Sequence, residues 1–404
     1  MAEKNLMHVA DILTGEEITK LTNQFFSTKD AEILSCHLQP FSEEPLGYLA
    51  VHQLLRIEAR VSSDDNSKKR LLEFFVKCAL PNRRPYERAL FRTEAEFYKN
   101  LLPRLLRDNN YASREPWIAE CHLVKEDVLI LENLRHYELA SSLRDDHVTA
   151  ALTSVARLHA ASMLWELRHG RQSLQEVYPG VFDEKIYLKT GLAWKWLLAG
   201  IEVAEAVALD LKLRPEYILK AYELTIERVK PVKKQNNVIC HCDLWSNNMM
   251  FNQSEPFNCV LVDFQMAAYV NAAIDFQTFI YLNTTSKDRR DKEKQFIDVY
   301  YDALVDNLLL NGYDENSIVS KTQVCQDIED KRVCGLVSAV QYFPIALLSR
   351  ESAKLYEKDI ERYSYDSRKD FVLRTMQLDA SYRDRIESSV RDLIDYMLKT
   401  EKNG

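Results

Sequence analysis

The spacing of apolar residues changes character several times along the chain. Residues 10–30 read as a helix, with Thr14 as its cap and Glu17 three positions on in capping-box register. Between 45 and 80 the period shortens to two. The stretch GYLAVHQLLRIEARV alternates, stops at the polar run SSDDNSKK, and resumes as RLLEFFVKCAL, which predicts an antiparallel hairpin. Pro81 and Pro85 then break the chain. ALFRTEAEFYKNLL (89–102) spaces Leu90, Phe97 and Leu101 along one helical face. A second hairpin follows in IAECHLVKEDVLILENL (118–134), turning at KED. Beyond it, helical periodicity runs through 147–169, 183–211, 213–230 and 273–399, interrupted by a strand-rich island at 237–265. No internal repeat or low-complexity linker is visible. The expected class is α+β in two lobes: a small antiparallel-sheet lobe with an N-terminal helix (1–133) and a larger, mostly helical lobe (134–404).

Length supports two lobes, because 404 residues exceed the usual size of a single core. The net charge of −8 comes from dispersed acidic residues, which argues against nucleic acid or an anionic membrane as main partner. The short runs KKR (68–70) and VKPVKK (229–234) read as solvated surface. The opening MAEKNLMHVADILTGEE has no apolar segment flanked by positive charge. The most apolar stretches, 191–211 and 334–349, contain Lys195, Glu202 and Glu205 or Gln341 and Pro344, so they read as buried helices rather than spans. The expectation is a cytoplasmic protein whose eight cysteines are reduced thiols. Cys240 and Cys242 flank His241, but no second Cys/His pair at zinc spacing completes a tetrahedral site.

The candidate chemistry lies in the island. CHCDLWSNNMMF (240–251) sets Asp243 and Asn248 among apolar neighbours, and CVLVDFQ (259–265) delivers Asp263. Burying such groups costs several kcal/mol unless something meets them. A turn carrying Asp243 and Asn248 beside a hairpin carrying Asp263 would gather two carboxylates and an amide oxygen. These are hard ligands suited to magnesium, with one carboxylate left to accept a hydroxyl proton. That is equipment for phosphoryl transfer. It calls for a cation upstream, and Lys77 inside FFVKCAL supplies one, with Glu94 on the following helix as counter-ion. ATP would lie between the lobes, its adenine on the backbone near LILENL (129–134). Taken singly, Lys77 reads as an edge-strand lysine and the three oxygen-bearing residues as turn residues; the combination favours chemistry.

H-x-D-x-x-x-x-N followed by a strand-borne D-F resembles the protein-kinase-like fold. HCDLWSNNMMF, LVDFQ, FRTEAEFY, LILENL and LHAAS are similar, within its small-molecule branch of aminoglycoside and choline kinases, to the ecdysteroid-kinase-like (CHK-kinase-like) family, from about residue 45 to 350. The resemblance implies that Asp243 is the catalytic base, that Asn248 and Asp263 hold Mg2+, and that Lys77, paired with Glu94, contacts the α/β phosphates of ATP. It implies further that Glu132, Asn133 and Leu134 meet the nucleotide, that His241 braces the catalytic loop, and that Asp275 anchors that loop from the next helix. His159 reads as packing between helices, and LAWKWLL (192–198) as core or as a wall for an apolar acceptor. Two departures stand out. Cys242 occupies a position where the family usually has Gly. No G-x-G-x-x-G occurs among nine glycines, and Gly47 alone lies where a phosphate-covering loop belongs. The implied function is an ATP-dependent phosphotransferase acting on a hydroxyl of a small organic molecule, ecdysteroid- or sterol-like or foreign. The alternatives are a kinase for a polar acceptor such as choline, and a catalytically weak kinase-like binding protein. Acceptor specificity would reside in 183–230 and 273–400.

Overall fold

The computed structural model describes residues 7–42, 49–61, 69–107, 115–140, 142–232 and 236–403. Gly47 and all but the last residue of the turn SSDDNSKK lie outside the described residues. The N-terminal part is built on strands β1 (Glu32–Pro40), β2 (Ala50–Arg60), β3 (Lys69–Ala79), β4 (Cys121–Val124) and β5 (Val128–Glu132). They form one antiparallel sheet in the order β1-β2-β3-β5-β4. The two expected hairpins are β2–β3 and β4–β5. Lys77 therefore stands in the central strand, opposite His52 on β2 and Leu129 on β5, not at an edge.

Alternation decides which way each side chain faces. Leu72, Phe74, Val76 and Cys78 of β3 join Leu55, Ile57, Val128 and Ile130 in a core closed by Ile18 and Leu21 of the N-terminal helix Gly15–Phe26. Thr14 caps that helix as expected, its Oγ1 accepting from the Glu17 N–H (3.2 Å) while the Glu17 carboxylate accepts from the Thr14 N–H (2.8 Å). Lys77 belongs to the opposite register. It faces the helix Pro85–Glu96 and the rest of the molecule.

Two expectations change. β1 was not anticipated: EILSCHLQP is half-exposed along most of its length and has no clean alternation, as suits an edge strand ending at Pro40. The helix expected from 183 starts only at Gly191. Before it, Glu184 accepts the Ile186 and Tyr187 N–H groups (2.6 and 2.9 Å), and Lys185 donates to the Val181 and Asp183 carbonyls (2.8 and 2.7 Å), fixing a turn instead.

The larger part is mostly helical, around the buried helix Asp145–Arg168. The island contributes β7 (Asn237–Cys240), which pairs with β10 (Ala268–Asn271). It also contributes β8 (Met249–Asn252) and β9 (Cys259–Leu261), which join β6 (Tyr137–Leu139). Helices Ala273–Asn283 and Arg332–Ala346 approach closely at Gly335, where a Cβ would come within 2.7 Å of the Gln277 carbonyl. No single helix among the described residues is long and apolar enough to cross a membrane. The architecture is the two-part, kinase-like one expected: a small antiparallel sheet beside a larger helical body.

Candidate active site

Lys77 is the hinge of the upper half. Its Nζ donates to Glu94 Oε2 (2.5 Å) and to Asp263 Oδ1 (2.8 Å). The lysine and glutamate side chains are 5% and 1% exposed, and Asp263 is 30% exposed, so the third member keeps a face toward solvent. Glu94 also accepts the Phe264 N–H at its other oxygen (3.2 Å), tying the helix to the residue after Asp263. The Phe264 ring stacks on Phe97, 4.0 Å between centroids and 8° between planes. The pair Lys77–Glu94 is thus joined to a third residue from the far end of the chain. Burial opposes the Lys77 charge, but the carboxylates of Asp263 and Glu94 outweigh it and hold the ammonium above its usual range. Burial raises Glu94, helped by the charge of Asp263 and opposed by Lys77. Burial also opposes the Asp263 charge, yet the neighbouring Lys77 prevails and holds Asp263 below the usual carboxylate range.

The lower half is a loop held by its backbone. Asp275, in the first turn of the helix Ala273–Asn283, accepts the N–H of His241 (2.6 Å) and of Cys242 (2.8 Å) at its two oxygens. It also meets His159 Nε2 (3.2 Å), and His159 Nδ1 meets the Tyr300 hydroxyl (2.8 Å). His159 therefore braces the anchor, a role beyond the packing expected of it. The His241 ring serves the same loop. Its Nε2 lies 2.9 Å from the Val262 carbonyl and its Nδ1 accepts the Asp243 N–H (3.3 Å), which assigns the neutral Nε2–H tautomer. Burial holds the imidazole below its ordinary pKa, consistent with a neutral ring. Cys242 takes φ = +63°, the left-handed conformation glycine adopts without cost, and stays there because Asp275 grips its N–H. A hydrogen bond with Cys240 pulls its thiol pKa down, but burial and the charge of Asp275 push it up to about 11, so this sulfur is no nucleophile.

Asp243 and Asn248 meet directly. Asn248 Nδ2 donates to the Asp243 carbonyl (2.8 Å) and to its Oδ2 (2.9 Å). The Val262 N–H donates to the Asn248 carbonyl (3.1 Å), which sets Asp263 beside this loop. Burial, then the charge of Asp263, pushes the Asp243 carboxyl up to about 7, while hydrogen bonds from Tyr342, Asn248 and Trp245 restrain the rise. Tyr342 was missed by sequence reasoning. Its one signal was a polar pair, Gln341-Tyr342, inside an otherwise apolar run. Trp196, from the aromatic segment 192–198, meets Tyr342 edge-on with centroids 5.4 Å apart, so that segment does back the site.

The donor set fits a hard divalent cation. Both side-chain hydrogen bonds of Asn248 use Nδ2, which leaves its Oδ1, and the outer oxygen of Asp263 has Gln265 Nε2 as its neighbour (3.2 Å). Glu132 ends β5, where it pairs with Phe74 as Leu129 does with Lys77, and Asn133 and Leu134 follow it. The Asn133 and Leu134 carbonyls are taken by the N–H groups of Arg135 (2.8 Å) and Tyr137 (2.9 Å).

No curated protein matches the chain. Among solved structures, a Plasmodium vivax ethanolamine kinase is 14% identical and aligns over 97% of this chain and 87% of its own, with a TM-score of 0.45. A choline kinase from Streptococcus pneumoniae is 12% identical over 94% and 99%, with a TM-score of 0.39. A macrolide 2'-phosphotransferase from Brachybacterium faecium is 9% identical over 87% and 98%, also at 0.39. The model of the Ecdysteroid kinase-like family matches residues 48–313, most of the chain and the site described above except Tyr342. The chain belongs to the Ecdysteroid kinase-like family.

Proposed function

We propose that this chain is an ATP- and magnesium-dependent phosphotransferase that phosphorylates a hydroxyl of a small organic molecule. The observation that carries the reading is the convergence of Lys77 on both Glu94 and Asp263, beside a loop that presents Asp243 and Asn248. Residues 1–133 would form the nucleotide lobe and 134–404 the catalytic and acceptor lobe, meeting at Glu132, Asn133 and Leu134. With two carbonyls of that segment engaged in its turn and the Glu132 N–H donated to the Glu120 carbonyl (2.8 Å), adenine would read the Leu134 N–H and the Glu132 carbonyl.

Asn248 Oδ1 and Asp263 would hold Mg2+, whose charge offsets that of the transferring phosphates. Lys77, oriented by Glu94, would contact the α/β phosphates. Asp243 would orient the acceptor hydroxyl and take its proton as the oxygen–phosphorus bond forms and the bond to the ADP oxygen breaks. A carboxyl held near pH 7 suits a general base, which works best with a pKa close to the operating pH. The family, together with the Trp196–Tyr342 wall beside Asp243, favours an ecdysteroid- or sterol-like alcohol over a cationic acceptor such as choline.

Thermal unfolding with ATP and magnesium tests the nucleotide part. Ligand at a hundred times its Kd stabilises by about 2.7 kcal/mol. The expected result is a clear rise in Tm that shrinks when EDTA replaces magnesium. No rise at any ATP concentration would overturn the proposal.

A further inference from the structure

A second concavity, of about 540 Å³, lies between the junction at residues 283–289, the helix Arg332–Ala346 and the C-terminal helix Ala380–Asn403. Its floor is apolar. Leu336, Ala339 and Phe343 share one face of their helix and are buried. Its walls are polar and carry three cations, Lys287, Arg289 and Arg385, with two carboxylates, Asp384 and Asp392. Asp243, Asn248 and Asp263 are not among its lining residues, so it is distinct from the site described above.

The cations differ in how they are matched. Arg289 donates to Asp392 (2.9 Å), Ser286 (3.0 Å) and the Thr284 carbonyl (2.9 Å). Lys287, at the exposed rim, pairs with Asp291 one turn along its own helix (2.8 Å). Arg385 has no such partner: among the described residues no carboxylate forms an ion pair with it, and its guanidinium lies 4.7 Å from the centre of the Phe343 ring. Burial and the charge of Arg289 press against its protonation, and only Asp288 acts the other way at a distance. A half-buried arginine would ordinarily acquire a carboxylate, because its planar fork is suited to two parallel bonds with one. Here it is positioned by an aromatic face, beside a second arginine, at the edge of open volume. Ser286 and Ser388, whose hydroxyls are 3.4 Å apart, add donors at the same end.

We propose that this cavity binds an organic anion, with an apolar body against Leu336, Ala339 and Phe343 and a carboxylate, sulfate or phosphate group on Arg385. The site borders the catalytic loop without sharing its residues. Phe343 follows Tyr342 in sequence, and Asn283, beside the junction, donates to the Leu244 carbonyl (2.7 Å).

Calorimetric titration of the full chain with naphthalene-2-sulfonate, against neutral 2-naphthalenemethanol, tests this. The expected result is saturable binding of the sulfonate at one site and weaker binding of the alcohol. Arg385→Met should weaken the sulfonate about tenfold or more, the usual effect of losing a charged hydrogen bond, and leave the alcohol unchanged. Lys287→Met should alter neither. Asp243→Asn should bind the sulfonate as the unaltered protein does, which keeps this result separate from the phosphotransfer proposal. Absence of saturable sulfonate binding, equal affinity for the neutral alcohol, or unchanged sulfonate affinity in Arg385→Met would each overturn the inference. If circular dichroism shows Arg385→Met unfolded, Arg385→Lys keeps the charge without the fork. It should weaken the sulfonate severalfold, and unchanged affinity there would overturn the inference equally.

Discussion

Two aspartates of the site, Asp243 buried and Asp263 partly exposed, are driven in opposite directions. Asp263 touches Lys77 and is held as a carboxylate below its usual range. Asp243 has amide, phenol and indole donors but no cation, and it is pushed up to about 7 by burial and by Asp263. The lesson is that neighbours, more than burial, decide what an acid can do. A permanently charged oxygen suits a metal ligand, whereas one that exchanges its proton near neutrality suits a base. The supports differ in kind as well. The Lys77 cluster is an ion network joining β3, the helix Pro85–Glu96 and residue 263. The Asp243 loop is held mainly by backbone N–H groups converging on Asp275.

Breaking the ion network should have the largest effect on stability. Lys77→Met leaves Glu94 and Asp263 facing each other without a cation and should cost about 3–5 kcal/mol in urea unfolding. The double variant Lys77→Met/Glu94→Leu should recover part of that loss; a double variant no more stable than the single one would show that the pair is not the source.

The pH dependence of Asp243 comes next. Its carboxyl titrates near 3.8 when unfolded and at about 7 when folded. Between those values the folded state carries the extra proton, so this group's contribution is fully present below pH 4 and lost as pH rises toward 7. Unfolding of Asp243→Asn lacks that loss. Its stability relative to the unaltered protein should climb across this window by up to a few kcal/mol and level off above it. A flat difference from pH 4 to 8 would mean that Asp243 is an ordinary ionised carboxylate.

The smallest effect concerns Cys242. Replacing it with Ala keeps the left-handed backbone and removes a buried sulfur, for about 1 kcal/mol of stability. Cys242→Gly adds relief of backbone strain of similar size and should be near neutral in thermal unfolding. Turnover should survive both changes, and its loss in Cys242→Ala would assign the thiol a role in the chemistry.

What the sequence disclosed depended on the range of the interaction. The Asp243–Asn248 loop and Asp263 lie on one short island, and the hairpins of the small sheet announce themselves by alternation broken at polar turns. Lys77 and Glu94 could be paired because a charged residue in an apolar strand demands a partner, and the next helix offered one. Tyr342 could not be found this way, since it reaches Asp243 from a distant helix whose periodicity records only that it is buried. β1 was lost because an edge strand half-exposed on both faces leaves no alternation to read. The turn at 183–190 was lost because Glu184 and Lys185 close it with side-chain to backbone bonds, which helical spacing does not reveal.

The most direct test is phosphoryl transfer itself. The protein and its Asp243→Asn variant would each be incubated with ATP, magnesium and a panel of hydroxylated metabolites that includes sterol-like alcohols, and products read by mass spectrometry. The account predicts that at least one alcohol gains a single phosphoryl group with the unaltered protein. The rate should fall by about 10²–10⁴ in the variant while ATP binding persists. Equal transfer by both proteins would remove Asp243 from the role of base, and no transfer to any alcohol by a protein that ATP stabilises would contradict the assignment of a kinase.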